Sequence, residues 1–247
     1  MKKQIKERGI IFNGEMVRAI LDGRKTQTRR IISPQPELTE GSGFSWKGAL
    51  FGAGSDDRET NRNFAHCRCP FGKVGDRLYV RETWGVVSYS FDDDGLMTDW
   101  IPDRPAKAIH ELPYGRGYYN GHAIYAADGD FTWGDDDGGG DGRSCWNPSI
   151  HMPKAASRIT LEITDIRVER LNHISEQDAA AEGVGSAVWF AAKGVPENEW
   201  TSLGEFGAQK PSHINRFASL WESIYGQDSW QSNPFVWVVE FKRVEAA

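Results

Sequence analysis

The sequence predicts an α+β fold: a small mixed β-barrel with helices at its rim and three long loop insertions. Three observations carry that expectation. Ten tryptophans and 27 glycines in 247 residues favour many turns and short strands over a helix bundle. The readable elements run strand, helix, strands, helix, helix, strand, with neither the βα repetition of a doubly wound sheet nor an internal repeat. Between them, stretches at about 35–65, 88–142 and 185–210 show little periodicity. A chain of this length can bury one sizeable core as a single domain, 1–247, with those stretches as insertions.

Gly9-Ile10-Ile11-Phe12 is an apolar run suited to a buried strand. Asn13 can cap the helix that follows, and Met16, Val17, Ile20 and Leu21 form its apolar stripe. Gly23 is placed to end it. The octet Gly23-Arg24-Lys25-Thr26-Gln27-Thr28-Arg29-Arg30 therefore begins where a helix stops, with its cations near the negative end of the dipole. Ile31 and Ile32 return the chain to the core, and Pro34 and Pro36 close the element. After a turn over Cys69–Asp76, Leu78 and Val80 alternate with Tyr79 and Arg81, which predicts a half-buried strand ending with Glu82 and Trp84 on one face.

His122 to Ala127 reads as a strand and 128–142 as a mobile acidic loop. The proline-bounded segment Ser144–Pro153, containing Trp146 and His151, must lie extended or in turns. Ser157 to Leu171 is the strongest strand signal. Ile159, Leu161 and Ile163 alternate, then Ile166 and Val168 resume after one slip near Asp165 that implies a bulge or bend. Ser175-Glu176-Gln177-Asp178 opens a helix with an acid at the capping-box position; Glu182 ends it and Gly183 stops it. Ser212 caps a further helix through Tyr225, and Phe235–Lys242 has the Val, Trp and Phe density of a central strand or barrel wall.

A net charge of −6 excludes a basic nucleic-acid coat. The distribution says more. Residues 1–30 hold nine Lys and Arg against Glu7, Glu15 and Asp22, a local +6, whereas 128–142 hold six aspartates and no cation. Such an arrangement discourages nonspecific phosphate binding and leaves one steering patch. Three cysteines do not make a disulfide framework. The His66, Cys67, Cys69 and Cys145 set is a poor zinc site: its close pair is Cys-x-Cys, and adjacent His66 and Cys67 cannot easily ligate together. The aspartate runs lack calcium-loop spacing. No metal and no cofactor are therefore expected. No apolar leader and no run of membrane-spanning length are present, so a soluble, cytoplasmic protein with no membrane partner is expected.

Four segments in order carry a resemblance to a known family. They are the helix running into Gly23-Arg24-Lys25-Thr26-x-Thr28-x-Arg30, then Gly75-Asp76-Arg77-Leu78-Tyr79-Val80, then the long strand with its Glu-ended helix, and last Val238-Val239-Glu240-Phe241. Together they resemble the ASCH family of the PUA-like superfamily. Val80-Arg81-Glu82-Thr83-Trp84 and Pro148-Ser149-Ile150-His151-Met152-Pro153 look like its larger phage- and prophage-encoded members, whose place would be a bacterial host cytoplasm. The resemblance covers both ends and the centre of the chain but not the three insertions. It implies a PUA-like barrel with a cleft for RNA or a nucleobase. Among the family are small amidohydrolases that remove the acetyl group of N4-acetylcytidine, and some members are ribonucleases. Carried over, the working residues of the amidohydrolases are Lys25, Thr28 and Glu182.

The chemistry stands on its own terms. A free lysine near pKa ~10.4 is a poor base at neutral pH. Burial and the like charges of Arg24, Arg29 and Arg30 lower that value if their side chains point inward. Glu182 can shuttle a proton to the departing amine, and Thr28 can orient water or donate to an oxyanion. Glu82 is a rival carboxylate, Trp84 and Trp146 are candidate base platforms, and His151 a candidate hydrogen-bonder to a base or phosphate. Each has a plainer reading. Lys25 and the arginines can simply grip phosphate, Thr28 can bond backbone, Trp84 and Trp146 can be packing residues, and His151 can be structural. A non-catalytic nucleic-acid-binding module and a ribonuclease are therefore the alternatives to an N-acyl-cytidine hydrolase.

Overall fold

The computed structural model describes residues 4–39, 43–51, 64–66, 68–131, 145–185 and 212–244. In chain order its first elements are β1 (Glu7–Ile11), α1 (Gly14–Leu21), β2 (Gln27–Ile31), β3 (Glu37–Thr39), β4 (Gly43–Trp46) and β5 (Ala49–Phe51). Then come β6 (Arg77–Arg81), β7 (Trp84–Val87), β8 (Tyr89–Phe91), β9 (Met97–Asp99), β10 (Lys107–Tyr114) and β11 (Gly117–Tyr125). The last are β12 (Thr160–Arg170), α2 (Glu176–Ala181), α3 (His213–Tyr225) and β13 (Phe235–Val244). The class is mixed α+β with several sheets, and no closed barrel is formed among the described residues.

The chain divides into two compact units. One comprises Met1–Lys6, Ala19–Asp76 and Glu162–Lys242; the other Glu7–Arg18, Arg77–Leu161 and Arg243–Ala247. In the first, β12, β13 and β2 are successive neighbours, with β2 antiparallel to β13 in the register Glu240↔Gln27, Val239↔Thr28, Val238↔Arg29 and Trp237↔Arg30. Cross-strand partners share a face and neighbours along a strand alternate. This sheet therefore has two different sides.

The side carrying Val236, Val238 and Ile31 packs against Ala179 of α2 and Phe217 and Trp221 of α3. Each fully buried Phe or Leu there is worth about 1.5–3 kcal/mol. Gln27, Arg29 and Glu240 lie on this helix side by register. The other side carries Thr28, Arg30, Val239 and Trp237, and Trp237 stacks on Phe64 with ring centroids 5.1 Å apart. Trp46 meets both rings edge-on, and Phe51 meets Phe64.

Two helices are fixed by their caps as the sequence predicts. The Ser175 hydroxyl accepts from the Asp178 N–H at the start of α2, and that of Ser212 accepts from Asn215 N–H at the start of α3. Glu176 ties the two together, its carboxylate accepting from His213 N–H at 2.9 Å. β12 shows the predicted slip: Leu161 and Ile163 are buried, then Ile166 and Val168, with Thr164 exposed between them.

In the second unit β1 pairs in parallel with β6, and β10, β11 and β7 form an antiparallel sheet. Trp84, Ile109, Leu112, Ala123, Tyr125 and Met152 make its core. Several sequence expectations need correction. The predicted strand Arg77–Trp84 is two strands, β6 ending at Arg81 and β7 starting at Trp84. The 35–65 stretch contains a three-stranded antiparallel sheet, β3–β4–β5, and 88–121 contains β8, β9, β10 and much of β11. The second half of the basic octet, from Gln27 on, lies in strand β2. Most of the 128–142 and 185–210 insertions, and Cys67, lie outside the described residues.

Candidate active site

Lys25 is brought to Glu182 by two turns that the sequence dictates. Gly23, at φ +75°, ends α1, and the Arg24 and Lys25 N–H groups both donate to the Ala19 carbonyl at 2.9 Å. Thr26 N–H then donates to the Ala181 carbonyl at 2.9 Å, which sets the start of β2 against the end of α2. Glu182 is the C-terminal cap of α2, and Gly183 follows at φ +74°. Only glycine fits there. A Cβ would lie 2.7 Å from the Lys25 Cβ and 2.9 Å from the Ala19 Cβ, besides requiring a left-handed backbone.

The result is a dry ion pair. Lys25 Nζ donates to Glu182 Oε2 at 2.8 Å and to the Glu182 carbonyl at 3.0 Å, and the two side chains are 0% and 2% exposed. Arg29, also 0% exposed, donates from Nη1 to Glu182 Oε1 at 3.3 Å and from Nη2 to Glu169 Oε2 at 3.0 Å. One Glu182 oxygen is thus taken by Lys25 and the other by Arg29. Burial holds the Lys25 amine below its ordinary pKa; Glu182 opposes that shift, while Arg30 and Arg29 reinforce it. Arg29 and Arg30 stand on opposite sides of β2, so Lys25 sits at a strand end where charges from both sides reach it.

Further charges surround this core. Arg167 on β12 donates from Nε to Glu169 Oε1 at 2.6 Å, from Nη2 to Asp178 Oδ1 at 2.9 Å, and from Nη1 to Glu240. Gln27 donates to the Asp178 carbonyl at 2.8 Å. Burial tends to raise the Asp178 pKa, but the Ser175 hydrogen bond and the charges of Arg167 and Arg29 outweigh it and hold the carboxyl below its usual range. Glu169, Asp178, Arg167 and Gln27 were not among the residues singled out from sequence. Asp178 was visible there only as a capping residue. Arg167 and Glu169 occupy polar positions of β12 that look like an ordinary solvated face.

The other candidates fall in several places. Thr28 is buried, on the side of β2 opposite Arg29, and lies outside the set of side chains hydrogen-bonded to Glu182. Arg24 is half exposed, pairs with Asp22 at 2.8 Å and donates to the Gly183 carbonyl at 2.9 Å, bracing the turn after α2. Arg30 is partly buried. Arg29, expected from sequence as a substrate-binding cation, is instead turned onto the buried Glu182 and the half-buried Glu169.

In the second unit, Glu82 is a buried carboxylate held by both prongs of Arg158, at 3.0 and 2.9 Å. Arg158 also binds Asp128 at 2.6 Å and lies over the Tyr125 ring at 3.9 Å. Burial raises the Glu82 pKa against the pull of Arg158. Each Glu82 oxygen thus accepts from one prong of Arg158, which ties this carboxylate into the ion-pair cluster of the second unit. Trp84 is fully buried in the core, which is the packing reading rather than the stacking one. Trp146 is half-buried, packed by the segment that bridges Asn147 to Trp84, and His151 is exposed on a short 3₁₀ turn. Among the described residues no group of three or more His, Cys, Asp or Glu is disposed to hold a metal, and neither Cys69 nor Cys145 is in a disulfide. No helix among them is long and apolar enough to cross a membrane.

No family model, curated protein or solved structure matches this chain.

Proposed function

We propose that the chain is an ASCH-type protein with a PUA-like barrel that binds RNA or a modified nucleoside and hydrolyses an N-acylated pyrimidine such as N4-acetylcytidine. The observation that carries this reading is the 2.8 Å contact between the fully buried Lys25 and Glu182 side chains. Three dry groups, Lys25, Arg29 and Glu182, would together carry one net positive charge in a place that solvates it poorly. Loss of the Lys25 proton relieves that charge and leaves Glu182 still paired with Arg29. The amine is thereby suited to act as a base nearer neutral pH than a free lysine.

In this reading water attacks the acetyl carbonyl carbon while Lys25 Nζ takes its proton, and a tetrahedral oxyanion forms. Glu182 relays that proton to the exocyclic nitrogen of cytosine. The C–N bond then breaks, giving cytidine and acetic acid, which releases its proton to solvent as acetate. The family resemblance assigns oxyanion stabilisation to Thr28, which is buried three residues along the chain from Lys25. The test is turnover of N4-acetylcytidine followed by chromatography. Native protein is expected to release cytidine and acetate in equal amounts, and Lys25→Met and Glu182→Gln are each expected to lose at least about a hundredfold in rate, the usual reach of general acid–base catalysis. Equal rates for native protein and both variants would refute it.

The second reading, a non-catalytic nucleic-acid-binding module, is favoured by one observation. Lys25 also donates to the Glu182 main-chain carbonyl, as a purely structural clamp between β2 and α2 would. RNA binding without any turnover by the native protein would select it.

A further inference from the structure

We infer that Arg29 is a positioning residue of this site: it holds one Glu182 oxygen in charge balance, so that Lys25 can give up its proton while seated on the other. The inference deepens the hydrolase reading above and rests on Lys25 serving there as a base. It departs from the sequence expectation that Arg29 contacts substrate.

The geometry separates the two roles. Lys25 Nζ is on Oε2 and Arg29 Nη1 on Oε1 of the same carboxylate, so neither cation displaces the other. Were Lys25 the sole cation on Glu182, deprotonation would leave a carboxylate buried without a counter-charge, which costs several kcal/mol and would lock the proton on lysine. Arg29 removes that obstacle, since a guanidinium stays charged at any relevant pH.

Arg29 is itself held from the other end. Its Nη2 meets Glu169 on β12 at 3.0 Å and stands 3.7 Å from Asp178 on α2. The second oxygen of Glu169 holds Arg167, which Asp178, Glu240 on β13 and Asp165 also face. Among the groups that face Lys25 are Glu182 from the end of α2 and Arg29 and Arg30 from β2. Of the two arginines, Arg29 alone touches Glu182.

The charges predict opposite shifts for two substitutions. Arg29→Met removes a like charge and leaves Lys25 the sole cation on Glu182, so the Lys25 midpoint rises. Glu169→Gln removes an acid and leaves the Arg29 charge less neutralised, so the midpoint falls. The experiment is a pH titration by NMR of protein carrying ¹³Cε-labelled lysine, with the Lys25 signal assigned by its loss in Lys25→Arg. A rise of about one pH unit in Arg29→Met and a fall in Glu169→Gln support the inference. A midpoint that stays put or falls in Arg29→Met, when that variant melts cooperatively, overturns it. If Arg29→Met does not fold, Glu169→Gln decides: a fall supports the inference, and an unchanged or raised midpoint overturns it. The titration needs no turnover. Predicted shifts without hydrolysis of N4-acetylcytidine would leave the role of Arg29 intact and remove the hydrolase reading alone.

Discussion

At the residue level, the Lys25–Glu182–Arg29 trio is asymmetric, and the asymmetry has consequences for stability. Replacing Glu182 by Met leaves two buried cations facing each other, whereas replacing Lys25 by Met leaves Glu182 paired with Arg29. Glu182→Met is therefore expected to destabilise by about 3–5 kcal/mol, and Lys25→Met by distinctly less, in urea unfolding. Equal losses would mean that Arg29 does not compensate Glu182. The pH dependence follows from the lowered Lys25 pKa. Between that lowered value and ~10.4 the unfolded chain binds more protons at this position than the folded one, so folding becomes more favourable as pH rises through the window. The stability of native protein relative to Lys25→Met should accordingly grow toward alkaline pH, as thermal melts across that range will show.

At the level of elements, α2 is six residues long, too short to hold itself, and its position depends on its ends. Ser175→Ala removes the N-cap and should cost about 1 kcal/mol. Gly183→Ala imposes a left-handed alanine and drives its Cβ into Lys25 and Ala19, and should cost about 1–3 kcal/mol while displacing Lys25 from Glu182. Thermal denaturation of both variants checks the order; a Gly183→Ala protein as stable as the native one would show that this turn does not fix the site.

These ends were legible because capping leaves a local signature: Ser175, Ser212, Gly23 and Gly183 all act where the sequence placed them. Strand β10 was not legible. Its register shifts between Ile109 and Leu112, with Glu111 at φ +46° and its N–H capped by the Asn120 side chain, so the period of two is erased. β3, β4 and β5 have three or four residues each, too few for any periodicity to register. The meeting of Lys25 with Glu182 came from a family resemblance, since the two are 157 residues apart and no local pattern links them. The contacts of Arg29 were not legible for a related reason. Sequence shows a cation among cations, and only the strand alternation of β2 reveals that it turns inward.

For the whole molecule, the local excess of cations in the first thirty residues is not all presented at the surface. Lys25 and Arg29 are fully buried, whereas Arg24 is half exposed beside Asp22 and Arg30 is partly buried. The salt dependence of binding to a single-stranded RNA should be the same for native protein and Lys25→Met. A slope reduced by about 0.7 in the variant, the contribution of one phosphate contact, would instead mark Lys25 as a phosphate clamp. What the fold does with that buried charge is best asked of the substrate directly. Incubating the native protein with N4-acetylcytidine and measuring acetate and cytidine together is the most direct test. Release of both in a one-to-one ratio, absent in Lys25→Met, is the predicted result. An N4-acetylcytidine pool left intact by protein that still binds RNA would contradict the proposed activity.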